Sequence, residues 1–272
     1  LSLSSGGTPT SRNRLKEEKL VSMKIPLPPI SEQQRIVAKI EELAGNVEEA
    51  KELRHKAIEE LEMLLTSALE SLFEKNSMRW FHRRLSDDGL STVIAGQHIM
   101  AGEYNLSGNG IPYLTGPADF GYRVPIIKRW TQNPKSTSLP GDVLLTVKGA
   151  GVGKINFAPD IKVAMGRQLM AIRPNKNYLL KEFLYYFLNY KFKHFREIAT
   201  STTVPGFKKK DVEDLKIPLP LIHEQHRIVE YLDNLQSKID ELKRYQSETQ
   251  KELDALMPSI LDKAFKLSLI HI

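Results

Sequence analysis

Apolar residues recur with helical spacing in two long segments of this chain, which flank a stretch with a different pattern. In residues 31–75, and again from Ile228 to Ile260, apolar or small side chains alternate in steps of three and four residues, as in a heptad seam. We predict two long helices that pair as an antiparallel coiled coil. The seam positions assigned to this pairing are Ile36, Ile40, Leu43, Val47, Leu61, Leu64, Ile228, Leu232, Leu235, Ile239, Leu253 and Leu256.

Each seam is interrupted by polar residues near its middle. Arg54 breaks the first seam, and Gln246 and Thr249 break the second. A long amphipathic helix must bury its apolar stripe against another element. We therefore expect the two helices to pack antiparallel, so that their polar interruptions face each other. The alternative, in which each helix packs on a different partner, stays open. Pro258 is expected to kink or end the second helix, because proline removes a helical hydrogen bond.

The two helical segments are copies of one another at an offset of 192 positions. Lys24–Pro28 returns as Lys216–Pro220, and the match continues without a gap through both helices. The alternating prolines indicate an extended lead-in to each helix, with Ser31 as the N-cap of the first. Residues 1–23 match residues 193–215 at the same offset. We therefore interpret residues 1–23 as the tail of an otherwise absent domain.

Between the helices, the spacing of apolar residues predicts short strands followed by one helix. Tyr178–Phe195 has helical spacing. The predicted strands are Val93–Gly96, Gly110–Leu114, Val143–Val147, Ile155–Ala158 and Leu169–Ile172. The fold class is therefore α+β, with a mixed domain flanked by the two helices.

The charge is concentrated in this middle segment. The chain carries a net charge of +6, and residues 79–215 hold 20 Lys and Arg against 11 Asp and Glu. A polyanion is the natural partner for such a domain, although a modest positive excess is common. The chain has no cysteine, which excludes disulfides and thiolate chemistry and fits a reducing cytoplasm. No apolar run approaches the length of a membrane span.

Two loops carry candidate phosphate contacts. Gly149–Lys154 lacks the spacing and the Ser or Thr of a Walker loop, and we interpret it as a turn that presents Lys148 and Lys154. Thr200–Lys210 combines hydroxyls, a Pro-Gly turn and three lysines. A solvated turn and a polar linker remain the alternatives. The spacing of His223 and His226 could suit a metal ion, but no further ligands are evident in the sequence. No catalytic constellation is present.

In combination, these motifs resemble the DNA specificity (S) subunits of type I restriction–modification systems. The resemblance is carried by Ile25–Val37 and its copy Ile217–Val229, and by Gly110–Tyr113, Pro140–Leu144, Gly149–Lys154 and Thr202–Gly206. It implies a target-recognition domain between two long helices that act as a ruler. The implied division is 1–23 as the tail of a first recognition domain, 24–78 and 216–266 as the helices, and 79–215 as the second recognition domain. Independently of the resemblance, residues 267–272 are expected to be a non-native tail.

The resemblance implies a non-catalytic subunit that reads one half of a bipartite DNA site. The expected partners are double-stranded DNA, methyltransferase (M) subunits and a restriction (R) subunit. Self-association of half-subunits is a further expectation. The partner subunits are expected to bind S-adenosylmethionine, ATP and Mg, and this chain is expected to bind none of them. The expected location is a bacterial or archaeal cytoplasm. From loop position and charge, the expected DNA contacts are Lys148, Lys154, Arg167, Arg123, Lys128, Lys208 and Lys209.

Two other classes of function remain possible at this point. One is a coiled-coil adaptor whose middle domain binds protein and has no DNA specificity. The other is a stand-alone nuclease or methylase. A steep fall of DNA affinity with salt separates the first from a DNA reader, and cutting or methyl transfer by the chain alone identifies the second.

Overall fold

The computed structural model describes residues 21, 27–76, 78–149, 151–191, 195 and 206–270. In these residues two long helices lie on either side of a sheet-rich segment in the sequence, which confirms the predicted α+β class. Numbered in chain order, the helices are α1 (Ile30–Lys75), α2 (Lys181–Tyr190), α3 (Lys209–Glu213) and α4 (Ile222–Ile270). The strands are β1 (Phe81–Arg84), β2 (Ser91–Ala95), β3 (Ile111–Leu114), β4 (Trp130–Thr131), β5 (Thr137–Ser138), β6 (Val143–Thr146), β7 (Ile155–Phe157), β8 (Val163–Met165), β9 (Leu169–Pro174) and β10 (Lys216–Leu219).

The chain divides into two compact units, and the division falls inside both long helices. The mixed unit comprises Glu60–Asp240, and the helical unit comprises the described residues up to Glu59 and from Glu241 onward. Within the described residues, no helix has an apolar stretch long enough to cross a membrane. The predicted Lys24–Pro26 and Thr200–Pro205 segments, and the tail at residues 1–20, lie outside the described residues.

In the helical unit, the polar interruptions of the two seams meet, as their positions in the sequence predicted. The Arg54 guanidinium donates a hydrogen bond from Nε to Gln246 Oε1 at 2.9 Å, and from Nη2 to the Gln246 carbonyl and to Thr249 Oγ1. One turn earlier on α1, Lys51 Nζ lies 3.2 Å from Asp254 Oδ1, so the helices run antiparallel. Arg54 and Gln246 are equivalent positions of the 192-residue repeat, so the two copies face each other there.

The prediction that Leu64 and Leu256 belong to the buried seam is wrong. Leu64 is 47% exposed and its repeat equivalent Leu256 is 43% exposed, whereas the next residues, Leu65 and Met257, are partly buried. An α-helix has 3.6 residues per turn rather than 3.5, so its buried face drifts and a step of four periodically replaces a step of three. The second helix does not end at Pro258, because α4 continues to Ile270, and of the two expected effects of this proline only a kink stays a prediction.

Both long helices begin with the same hydrogen bond. Gln33 Nε2 donates to the Pro28 carbonyl at 2.7 Å, and its repeat equivalent Gln225 donates to the Pro220 carbonyl at 2.9 Å. The side-chain amide thus satisfies the last carbonyl of the proline lead-in. Since α1 starts at Ile30, Ser31 lies inside the helix and is not its N-cap.

Among its described residues, the mixed unit contains two four-stranded sheets and one two-stranded sheet. The first sheet has the order β2-β9-β6-β7 and is antiparallel, and the second has the order β4-β3-β8-β5. In the second sheet β3 and β8 run parallel. The second proline lead-in is not merely extended: as β10 it pairs with β1, with Pro218 opposite His82. A two-stranded sheet tolerates this proline because each strand has a free edge.

The core of the mixed unit lies between the first sheet, α2 and the ends of both long helices. Phe73 of α1 is 2% exposed, and its ring centre lies 5.6 Å from those of Phe183 and Phe187 of α2. Leu232 of α4 is fully buried in the same cluster. Such burial stabilises each side chain by about 1.5–3 kcal/mol relative to exposure. This packing fastens part of each long helix to the sheet domain.

Candidate nucleic-acid interface

One edge of the first sheet collects several loops that carry cations. Strand β6 ends at Thr146, and its antiparallel neighbours β7 and β9 begin at Ile155 and Leu169, so these three termini share that edge. Strand β8 ends at Met165 and reaches β9 through only three residues. The loops before and after these termini therefore contain Lys148, Lys154 and Arg167.

Backbone hydrogen bonds draw these loops around the two residues Thr146 and Val147. The Thr146 N–H donates to the Lys154 carbonyl at 2.8 Å, and the Val147 N–H donates to the Gln168 carbonyl at 2.8 Å. The Val147 carbonyl accepts from Phe207 N–H at 3.1 Å, which brings in the segment that contains Lys208. These contacts are non-local and hold four cation-bearing segments at one place on a buried strand.

Four side chains at this edge are exposed cations, and we refer to Lys148, Lys154, Arg167 and Lys208 together as the cationic edge. Within the described part of the chain, none of the four side chains has an ion pair with a carboxylate. Surface cations with no acidic partner keep their full charge for an external anion. The structure thus brings together four of the seven predicted DNA contacts.

Gly149 makes the turn at this edge possible. Its φ of +87° lies in the left-handed region, which other residues adopt only with strain. The chain can therefore reverse directly after Lys148, and Lys154 returns to pair with Thr146. The sequence-based interpretation of Gly149–Lys154 as a tight turn with two lysines agrees with this geometry, although Ala150 lies outside the described residues.

Lys128 lies beside the same region but on a different support. Its Nζ approaches the Ala118 carbonyl at 3.4 Å, in a short 3-10 helix formed by Pro117–Asp119. A cavity of about 310 Å³ adjoins this helix. It is lined by Pro117, Phe120, Gly121, Gly153, Lys154, Ile155 and Asn189. Lys128 is exposed and remains a peripheral candidate for a phosphate contact.

Arg123 is engaged within the protein, and we withdraw it as a DNA contact. Its Nη2 donates to Asp233 of α4 at 2.9 Å and to the Tyr186 hydroxyl at 2.8 Å. Its guanidinium also lies 5.2 Å from the Tyr185 ring centre and 5.7 Å from that of Phe157. A charge shared among a carboxylate and aromatic faces does not reach a phosphate. Loop position and charge in the sequence did not reveal this partner.

Lys209 is also distinct from the cationic edge. It lies in α3, where its Nζ is 3.2 Å from the Glu213 carboxylate one turn later. The neighbouring acid offsets its charge locally, and an exposed pair of this kind contributes only a few tenths of a kcal/mol to helix stability, about 0.3–0.5. We therefore assign Lys209 a smaller role than Lys208.

The pKa values of Arg123 and Tyr186 reflect their burial and the hydrogen bonds that both side chains make to Asp233. Desolvation lowers the pKa of Arg123, but the hydrogen bond to Asp233 and the nearby tyrosines outweigh it, so the net pKa is raised and the guanidinium stays charged. Burial, and then the hydrogen bond to Asp233, raise the pKa of Tyr186. The folded state therefore holds Tyr186 neutral. Its stabilising contribution is complete below the ordinary tyrosine pKa and is lost as the pH rises through the raised value.

The Arg123 assignment makes a testable prediction. Arg123→Ala should lower the free energy of unfolding by about 2–3 kcal/mol, because Asp233 loses its cation and three aromatic rings lose a contact. The salt dependence of DNA binding should not change. Chemical denaturation and anisotropy titrations measure the two quantities. A shallower salt dependence with unchanged stability would contradict the assignment and restore Arg123 as a phosphate contact.

One residue of this region was not among the predicted contacts. Gln168 follows Arg167 directly, and its carboxamide lies beside Gly116 and Gly149. A lone glutamine has no sequence motif to mark it. The available signal was its position in the short loop between Gly166 and a buried strand, because functional residues often lie in loops that a rigid element supports.

Among the described residues, no group of three or more His, Asp or Glu side chains could hold a metal ion. The buried carboxylates have structural partners: Asp119 pairs with Arg129 at 3.0 Å, and Asp142 pairs with Arg173 at 2.7 Å. What the arrangement supplies is a set of exposed cations on loops that are hydrogen-bonded to one edge of the first sheet.

Comparison with known proteins identifies the family. The pattern of the family described as "Type I restriction modification DNA specificity domain" matches residues 66–250, more than half of the chain. The chain belongs to this family. The matched segment contains the mixed unit from Thr66 to Asp240, including the cationic edge.

Relatives of this specificity-domain family agree in sequence and in fold. The putative type I restriction enzyme MjaX specificity subunit of Methanocaldococcus jannaschii is 28% identical over 264 residues, which cover 92% of this chain and 61% of that protein. The HsdS subunit from Thermoanaerobacter tengcongensis is 38% identical with a TM-score of 0.66, over 94% of this chain and 63% of that one.

A further solved structure matches more closely in shape. It is described as the structural basis underlying complex assembly and conformational transition of the type I R-M system, and the matched chain is 38% identical with a TM-score of 0.83. The match covers 96% of this chain and 66% of that chain. The chain therefore spans less than two thirds of each of these relatives.

Proposed function

We propose that this chain is a DNA-reading component of a type I restriction–modification complex, and that it binds duplex DNA through the cationic edge. The observation that carries this proposal is that four segments meet around Thr146 and Val147, each with an exposed cation that has no ion pair among the described residues. Lys and Arg side chains neutralise phosphates and release their counterions, which supplies most of the affinity for duplex DNA. The family to which the chain belongs supports DNA as the polyanion.

A rigid support favours recognition over mere attachment. The cationic loops begin and end on strands β6, β7 and β9, so phosphate contacts would set the register of the domain on the duplex. Side chains between the cations could then meet base edges in the major groove. Cations scattered over mobile segments would bind DNA without setting such a register.

We further propose a division of labour in which this chain performs no bond chemistry. In it, the chain reads one half of a bipartite site, and methyltransferase and restriction subunits dock on it and carry S-adenosylmethionine, ATP and Mg. The two long helices of the helical unit are the candidate docking and self-association surfaces. The names of the relatives, which are specificity subunits, support this assignment over an enzyme.

Salt-dependent binding tests the proposal. The purified chain is titrated by fluorescence anisotropy against a duplex library with a randomised centre, at a series of salt concentrations. If the four cations each contact one phosphate, the logarithm of affinity should fall with the logarithm of salt with a slope of about −3.6 or steeper. Absence of binding to any duplex would favour the coiled-coil adaptor, and cutting or methylation by the chain alone would favour an enzyme.

A further inference from the structure

Within the cationic edge, one neutral side chain has the chemistry to read a base. Gln168 lies between Arg167 and the first residue of β9, and its backbone carbonyl accepts the Val147 N–H at 2.8 Å. Its main chain is therefore part of the hydrogen-bonded frame that holds the four cations. Its side chain is half-buried, and within the described residues its carboxamide makes no hydrogen bond.

Two glycines leave the space that this carboxamide occupies. A methyl group on Gly116 would overlap Gln168 Oε1 and approach its Cδ to 3.0 Å. A Cβ on Gly149 would lie 3.2 Å from Gln168 Nε2. Gly116 is extended, with a φ of 169°, so its backbone does not itself require glycine. Its small size at this position serves the close approach of Gln168.

An amide with an unused donor and acceptor, held among phosphate-binding cations, has an evident ligand. Phosphate contacts position a domain on the duplex, and side chains between them meet the base edges. In the major groove, adenine presents N7 as acceptor and the N6 amino group as donor, which match the two ends of a glutamine amide. The other base pairs present a different pattern.

We infer that Gln168 is a specificity-determining residue that reads an adenine through both atoms of its carboxamide, with Gly116 and Gly149 keeping room for it. This inference rests on the proposed function, since it requires that the cationic edge binds duplex DNA. It adds to that function the residue that reads a base, the base that is read and the two glycines that leave space for the carboxamide.

Selection from a randomised duplex library tests the inference. The unaltered chain should enrich a site with adenine at one position, favoured by roughly 5- to 150-fold over the other bases. Gln168→Ala should abolish the preference at that position and keep the others. Gly116→Ala should also abolish the preference at that position, because the added methyl group displaces the carboxamide while residue 168 stays a glutamine. Gln168→Glu should replace adenine by cytosine, since a carboxylate accepts from the cytosine amino group.

Gln132→Ala is the matched control. Gln132 is an exposed glutamine that follows β4 and lies beside Gly110 at the start of β3, away from the end at which Thr115 meets Gly166. Its selected site should equal that of the unaltered chain. Thermal melting of each variant establishes that it is folded before selection.

The outcomes separate the inference from the function on which it rests. If Gln168→Ala and Gly116→Ala lower affinity for all duplexes alike, or leave the selected site unchanged, Gln168 is not a base reader while the chain remains a DNA-binding protein. If the unaltered chain binds no duplex, both the inference and the proposed function fail. Relaxation of the same single position in both variants supports the inference.

Discussion

Replacing Lys148, Lys154 and Arg167 together by alanine is expected to lower the affinity for duplex DNA by on the order of 100-fold at about 0.1 M salt. Each phosphate contact contributes about 0.9 to the salt slope, so the slope should become shallower by nearly three. The fold should not change, because these side chains are exposed and have no ion pairs within the described residues. Anisotropy titrations over a range of salt concentrations measure both quantities.

The chain offers a matched control for this triple variant. Lys162 and Lys176 are exposed lysines in the loops that precede β8 and follow β9, at the opposite end of the strands from the cationic edge. Alanine at both positions removes positive charge without touching the proposed interface. We expect a small loss of affinity from the reduced net charge and an unchanged slope. Because the triple variant removes three charges and the control removes two, equal losses per charge removed would mean that net charge, rather than the edge, attracts DNA.

Gln225→Ala should be among the most destabilising single substitutions in the chain. Gln225 is fully buried, and its Nε2 donates to the carbonyls of Tyr178 and Pro220 at 2.8 and 2.9 Å. Its Oε1 accepts the Leu180 N–H at 2.9 Å, at the start of α2. Truncation removes all three bonds and leaves their backbone partners unsatisfied, which should cost about 2–4 kcal/mol. Chemical denaturation followed by circular dichroism measures the loss.

The internal repeat supplies the control for Gln225. Gln33 occupies the equivalent position, and among the described residues its amide makes one hydrogen bond, to Pro28. Gln33→Ala should therefore cost about 1 kcal/mol or less. Equal effects at both positions would show that the shared lead-in bond dominates. A larger effect at Gln225 would show that this residue also ties α2 to the long helix.

How much of the site could be predicted depends on the range of the contacts involved. The turn after β6 and its two lysines follow from local residue types, and the prediction of Lys148 and Lys154 needed nothing else. Arg123 has the same local features, an exposed-looking loop and a positive charge. Its role is decided by Asp233, which lies 110 positions away in the sequence. No local pattern carries that information.

The helices show the same contrast. Arg54, Gln246 and Thr249 stood out as polar breaks in apolar seams, so their meeting could be predicted from two one-dimensional patterns. Leu64 and Leu256 continued the same patterns yet are exposed. Their error is the accumulated difference between a heptad and a helical turn, which packing resolves and periodicity alone does not.

By itself, the sequence determined the two long antiparallel helices, the strand-rich domain between them and the family to which the chain belongs. These follow from backbone geometry, which imposes the periods of helix and strand on neighbouring residues, and from the repeated motif. Only the tertiary structure decided which cations share one edge, which arginine turns inward and where Gln168 lies. Those features depend on hydrogen bonds between loops that are distant in the chain, and such contacts exist only after the strands have paired.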